Sequence, residues 1–258
     1  MDIDDRVRDE LPVNAPYDGL VAQAYDVWLP PGGRYDDVDF YRHLVERGRG
    51  PALELGCGNG RLLIGYVEGG LTVEGVDAAA DMLALCRAHA HERGIDVTLH
   101  HADWVVLDLG RRYSTVYNPA GSFALVDDVD HARDALRSWA AHVEGGGRLY
   151  VSMGVPRDDL GTEYGWRVRR SGTRASDGVT FMVHEAVRHD PEQQITHALN
   201  RHEVWDADGA LLTTFVRRHR LRWWEREQLE AVFRDAGLVD VGSGGSPDAF
   251  VTHGTRPG

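Results

Sequence analysis

The chain has no lysine: all 28 of its basic side chains are arginine. That absence excludes Schiff-base chemistry with pyridoxal phosphate or a carbonyl substrate, which needs a lysine amine. It also excludes a working phosphate-loop nucleotide hydrolase and an ordinary protein kinase, because both place a lysine on a phosphate. A GC-rich genome, which replaces lysine codons with arginine codons, accounts for it without a functional cause. Positive charge is scarce overall. Against 41 acidic residues the formal charge is −13, which argues against a nucleic acid as partner. Cysteine is nearly absent as well. Cys57 lies in a glycine-rich turn and Cys86 in a helix-like run, so a reducing, cytoplasmic setting is expected rather than a structural disulfide. No apolar run nears the ~18–20 residues of a membrane helix. The polar start, Met1 to Glu10, lacks a signal-peptide pattern, so no membrane partner is expected.

What is present is an ordinary globular composition, 42% hydrophobic and 27% charged over 258 residues. Residues 1–13 read as a polar tail. Helical spacing over 17–29 ends at Pro30-Pro31-Gly32-Gly33, and a second helix is expected over 36–47. Strands and helices then alternate. Strands are expected at 52–55, 73–76, 97–100, 115–117 and 148–152, with helices at 60–67, 79–92 and 129–143, the last ended by Gly145-Gly146-Gly147. That rhythm predicts a Rossmann-like, mostly parallel doubly wound sheet. After Gly154 come four longer β-rich runs, 166–171, 178–189, 194–205 and 211–223, separated by turn residues. They predict an antiparallel insert. A helix over 225–236 and two final strands, 238–242 and 249–253, complete a seven-stranded sheet. The expected units are a tail and cap helix (1–35), an α/β core (36–156 with 225–258) and the insert (157–224), a substrate lid or a homodimer contact. The first 156 residues hold 25 acids and 14 arginines, whereas 157–226 hold 11 and 12, so the insert is electrically balanced.

Three strand ends carry the chemistry. Glu54-Leu55-Gly56-Cys57-Gly58-Asn59-Gly60 joins the first strand to a helix, where missing Cβ atoms let backbone approach a ligand. Asp77 ends the second strand, where an acid can accept both hydroxyls of a ribose. His101-Ala102-Asp103-Trp104 ends the third, where an Asp can receive an adenine amino group and an apolar neighbour can pack on the ring.

In this order and spacing, the three resemble the class I S-adenosylmethionine-dependent methyltransferases, over residues 17–154 and 225–254. The resemblance implies S-adenosylmethionine as cofactor and S-adenosylhomocysteine as product. It implies that Glu54, Gly56, Cys57, Gly58 and Gly60 hold the amino-acid end of the cofactor. Asp77 and Ala78 would hold its ribose, and Asp103, Trp104 and Met82 its adenine. Tyr117-Asn118-Pro119-Ala120-Gly121-Ser122-Phe123 reads as a strand-end turn, with Asn118 on the cofactor side and Pro119 and Ser122 on the substrate side.

On the substrate side the chain resembles small-molecule N-methyltransferases, with the amino-sugar N,N-dimethyltransferases nearest. That resemblance implies that Tyr25 faces the cofactor and that Tyr17 faces the substrate amine as a catalytic candidate. Trp28, Trp166 and His184 are further substrate-side candidates. One departure stands out: the general-base histidine of the amino-sugar enzymes is Leu125 here. Any base must come from Tyr, His, Asp or Glu. The run Arg217-Arg218-His219-Arg220-Leu221-Arg222 reads as a strand that splits its charge between two faces, a solvated or acid-paired surface. The thirteen histidines show no compact metal-ligand spacing, and no metal is expected. The function expected is methyl transfer to a small-molecule acceptor, at nitrogen rather than oxygen. The alternative is a methyltransferase fold that keeps the cofactor and catalyses a cyclisation or decarboxylation, or serves as a non-catalytic partner subunit.

Overall fold

The computed structural model describes residues 11–156 and 163–258. The first ten residues of the expected tail, and the first six of the insert, lie outside the described residues. The chain runs α1 (Leu20–Trp28), α2 (Val38–Gly48), β1 (Ala52–Leu55), α3 (Leu63–Glu68), β2 (Val73–Asp77), α4 (Ala80–Glu92), β3 (Thr98–His101) and β4 (Tyr113–Asn118). A 3-10 turn (Ser122–Leu125), α5 (Val129–Ala141) and β5 (Val143–Gly154) follow. Then come β6 (Glu163–Thr173), β7 (Thr180–Asp190), β8 (Ile195–Trp205), β9 (Leu211–Arg222), α6 (Arg226–Asp235), β10 (Val239–Gly245) and β11 (Ala249–Thr255).

Seven strands form one sheet in the order β10-β11-β5-β4-β1-β2-β3. The pairs from β5 through β3 are parallel, and β11 is antiparallel to both neighbours. The central strands are covered on both faces, so β1 and β4 are buried along their whole length. One core packs α5 and α6 on the sheet through Leu53, Leu55, Trp139 and Phe233. The other packs α2, α3 and α4 through Tyr41, Leu63, Leu83 and Tyr117.

The four strands between β5 and α6 form a separate antiparallel sheet, β6-β7-β8-β9. Helix α1 lies between that sheet and the main one. Its Ala22 packs with Ala79 and Met82, and its Ala24 packs with Phe181 and Val204. The segment before α1 continues the link. Val13 bridges to Arg218, and Asn14 donates from Nδ2 to the carbonyls of Leu125 and Arg220, each at 2.8 Å. The N-terminal segment thus ties β9 to the turn after β4.

The glycine triplet does not end the helix as expected. Helix α5 stops at Ala141, β5 begins at Val143, and the glycines lie inside the strand. A Cβ on Gly147 would lie 2.8 Å from the Ser114 carbonyl oxygen, so close passage of β4 requires glycine there.

Candidate active site

The turn after β1 is built on left-handed backbone. Gly58 and Gly60 have φ of +55° and +82°, which a side chain resists. Space is equally tight. A Cβ at Gly58 would lie 2.9 Å from Met82 Cε, and one at Gly60 would lie 2.6 Å from Cys86 Sγ. Asp77 holds this turn to the start of α4: Gly58 N donates to its Oδ2 and Ala79 N to its Oδ1, both at 2.8 Å. Burial raises the Asp77 carboxyl despite those two donors.

A cavity of about 460 Å³ opens over the turn. Of the residues expected on the cofactor side, Gly56, Gly58, Asp77, Ala78, Met82, Trp104 and Tyr25 line it, and Tyr17 and Ser122 join them from the substrate side. A smaller cavity of about 210 Å³ adjoins it beneath the antiparallel sheet and takes in Trp28. A larger apolar one, about 1110 Å³, lies beyond the 120–124 turn against α2, β5 and β11. It contains none of the glycine turn, Asp77 or Trp104, so the residues expected on the cofactor side gather at the cavity over the turn.

Other expected residues act one layer back. Glu54 is buried and accepts the Tyr117 hydroxyl at 2.8 Å, and burial pushes its carboxyl up to about 8. Cys57 and Gly60 pack inside the turn. Asn118 donates to the Leu55 carbonyl and to Ser122 Oγ, each at 2.9 Å, locking β4 to β1. Pro119 is buried and accepts from Ser122. Asp103 is exposed and spends Oδ1 on Val105 N at 2.9 Å. Trp166 and His184 are not brought to the cavity. Strand alternation puts both on the outer face, where Trp166 lies under Arg201 and His184 sits 3.5 Å from Glu203.

The same alternation corrects the reading of the basic run. Arg217, His219 and Leu221 face the cavities, while Arg220 turns away to Asp127 at 3.3 Å. Tyr17 meets Tyr25 edge-on at 6.0 Å, and the Arg217 guanidinium sits 4.8 Å over the Tyr17 ring. Burial pushes the Tyr25 hydroxyl up to about 12, so it stays protonated. Leu125 lines the larger chamber of the pair, so the position of the family's base carries an apolar side chain.

One cluster had no signature in the sequence. Asp26 Oδ1 on α1 accepts from Asn59 Nδ2 of the glycine turn at 2.8 Å and lies 2.7 Å from His89 Nε2 on α4. Asn59 also donates to the Leu29 carbonyl at 3.0 Å. The cluster clamps the cap helix onto the turn. The bond to Asp26 raises His89, and bonds from His89 and Asn59 hold Asp26 down against the opposing effect of burial. A raised histidine contributes stability that is full below its unfolded value of 6.5 and lost as pH climbs through the folded value. A depressed aspartate contributes above its unfolded value of 3.8 and loses that as pH falls. The clamp is thus strongest between those two values. His89→Ala should lower the melting temperature more at pH 6 than at pH 9, and equal losses at both would contradict the pairing.

Comparison with known proteins agrees with this geometry. Residues 52–147 match a family described as a methyltransferase domain. The chain is 30% identical over 236 residues to the dTDP-3-amino-3,6-dideoxy-alpha-D-glucopyranose N,N-dimethyltransferase of Streptomyces fradiae, covering 87% of this chain and 86% of that protein. Among solved structures, the CcbJ methyltransferase of Streptomyces caelestis superposes with a TM-score of 0.74 at 22% identity, over 96% of this chain and all of that one. An amino pentose methyltransferase from Micromonospora echinaspora, solved with S-adenosylmethionine bound, superposes with a TM-score of 0.67 at 23% identity, over 94% and 98%. The chain belongs to the class I S-adenosylmethionine-dependent methyltransferases, and within them it resembles the amino-sugar N-methyltransferases. Its cofactor is S-adenosylmethionine. The site fits that group: a side-chain-free cradle at Gly56 and Gly58, a half-buried carboxylate at Asp77 and an indole wall at Trp104.

Proposed function

We propose that the protein N-methylates a small amino sugar carried on a nucleotide diphosphate, with residues 163–224 as the lid of its chamber. The observation that carries this is the chamber beneath the antiparallel sheet. It adjoins the cofactor cavity and is lined by Arg169, Arg170 and Arg217. Glu185 balances Arg169 at 2.6 Å. Arg217 donates to the carbonyls of Ala15 and Pro16 and, among the described residues, forms no ion pair. A half-buried guanidinium that makes no salt bridge suits a phosphate or carboxylate on the ligand. The dTDP-amino-sugar relatives point to the same acceptor class.

S-adenosylmethionine supplies a methyl group activated by its sulfonium. Asp77 and the glycine turn bind and orient the cofactor, and Trp104 and Met82 shield it from water. Tyr17 and Tyr25 stand between the two chambers, where the acceptor must approach in line. Close alignment of the nucleophile supplies most of the rate in such a displacement. The residue at 125 moves no proton.

The test is turnover of dTDP-3-amino-3,6-dideoxyglucose with S-adenosylmethionine. One S-adenosylhomocysteine should form per methyl gained. Arg217→Ala should raise the KM for the nucleotide sugar by about tenfold, the size of one lost charge-assisted hydrogen bond, and leave cofactor affinity unchanged. Equal KM values in wild type and variant would remove the phosphate reading.

A further inference from the structure

The two chambers meet at a junction lined by Tyr17, Tyr25, Ala120, Arg169, Asn200 and His219. Two of these carry acceptors without donors. Asn200 Oδ1 is buried with no hydrogen-bond partner. The His219 side chain is largely buried yet lines both cavities, and among the described residues no hydrogen bond is made by its ring. Buried polar atoms in a native fold are nearly always satisfied, so the open Asn200 oxygen, beside a histidine ring that faces the same cavities, marks a place where a ligand completes them.

Strand register explains why these two act together. Asn200 lies on β8 opposite Arg217, and His219 lies on β9 opposite Ala198. They therefore project from one face of the sheet, one strand apart. Burial, then the charges of Arg217 and its neighbours, hold His219 down at about 3, and His202 beside it is held at about 4. His219 is thus a neutral ring with one bare nitrogen, able to accept a hydrogen bond and unable to hold a cation readily. Glu185, on the same wall, is occupied by Arg169.

From this geometry we infer that Asn200 and His219 are catalytic residues that accept the two N–H bonds of the incoming amine and so fix the direction of its lone pair. The inference rests on the reading of the acceptor as an amine. A neutral primary amine has two N–H bonds and one lone pair, so holding both bonds leaves the lone pair one direction. The lone pair forms the new N–C bond while the C–S pair stays on sulfur. Nitrogen takes the positive charge, and a proton then leaves it for solvent. After one transfer a single N–H remains, and the second transfer needs only one of the two acceptors.

The test follows methylation of dTDP-3-amino-3,6-dideoxyglucose by mass spectrometry, with single-turnover rates for the first and the second methyl and S-adenosylhomocysteine affinity by calorimetry. Asn200→Leu and His219→Leu should each slow the first transfer by about tenfold, the size of one lost hydrogen bond, slow the second less, and leave S-adenosylhomocysteine affinity unchanged. His219→Gln keeps a side-chain carbonyl and should restore most of the loss. If a leucine variant fails to fold, Asn200→Ala and His219→Ala carry the same comparison. Equal slowing of both transfers, or no slowing, in the folded variants overturns the inference, as does a loss seen only in Glu185→Gln. No turnover of the amino sugar by the wild type overturns the amine reading, and the inference with it.

Discussion

Replacing Asp77 with alanine should lower the affinity for S-adenosylhomocysteine by about two to four orders of magnitude, the effect of losing two charge-assisted hydrogen bonds at roughly 1.5–3 kcal/mol each. The carboxylate would serve twice. On the proposed reading it receives the ribose hydroxyls, and it already holds Gly58 N and Ala79 N at 2.8 Å. Its removal takes away a ligand contact and also frees a turn that depends on left-handed glycine backbone. Asp77→Asn retains one carbonyl oxygen and should fall between the two. Calorimetry on folded protein checks this, and an unchanged affinity in Asp77→Ala would remove Asp77 from the cofactor site.

The second large effect is expected one layer behind the cavity wall. Trp139→Ala should destabilise the protein by about 3–5 kcal/mol, the usual range for truncating a buried tryptophan. Trp139 is fully buried on α5, stacks on Trp104 at 5.6 Å with 9° between the rings, and meets Phe123 edge-on. Its indole Nε1 donates to the Trp104 carbonyl at 2.6 Å. The stretch from β3 to β4 contains no helix, so the stack on Trp139 and the bond to its indole help hold Trp104 against the cavity. The loss should therefore appear twice: in the denaturation midpoint, and as weaker cofactor binding under conditions where the variant is still folded. Trp139→Phe, which keeps an aromatic face, should recover much of both. A variant destabilised but binding normally would show that Trp104 is held by other contacts.

The glycine turn and its strand-end acid were legible in the sequence because their requirements are local. A turn that excludes side chains is written as Gly56, Gly58 and Gly60, and an acid needed at a strand end is written as Asp77. Strand-helix alternation likewise gave the main sheet, since period and punctuation survive in one dimension. The substrate half is different. Whether Arg217 and His219 face a cavity or solvent depends on the register between β8 and β9, which no single strand reveals. The Asp26–Asn59–His89 clamp joins three segments, so its members look like ordinary surface residues until the helices are packed. Trp166 and His184 failed as pocket residues for the converse reason: residue type suggested a site, and the strand parity put them on the outer face. The 145–147 glycines looked like a helix stop because the close passage of β4 over Gly147 is a tertiary constraint.

The most direct measurement of the central claim uses S-adenosylmethionine with an isotopically labelled methyl group and dTDP-3-amino-3,6-dideoxyglucose as acceptor, read by mass spectrometry. Labelled mono- and dimethylated amino sugar is expected, with one S-adenosylhomocysteine released for each labelled methyl. Consumption of the sugar with no label gained and no S-adenosylhomocysteine formed would contradict it.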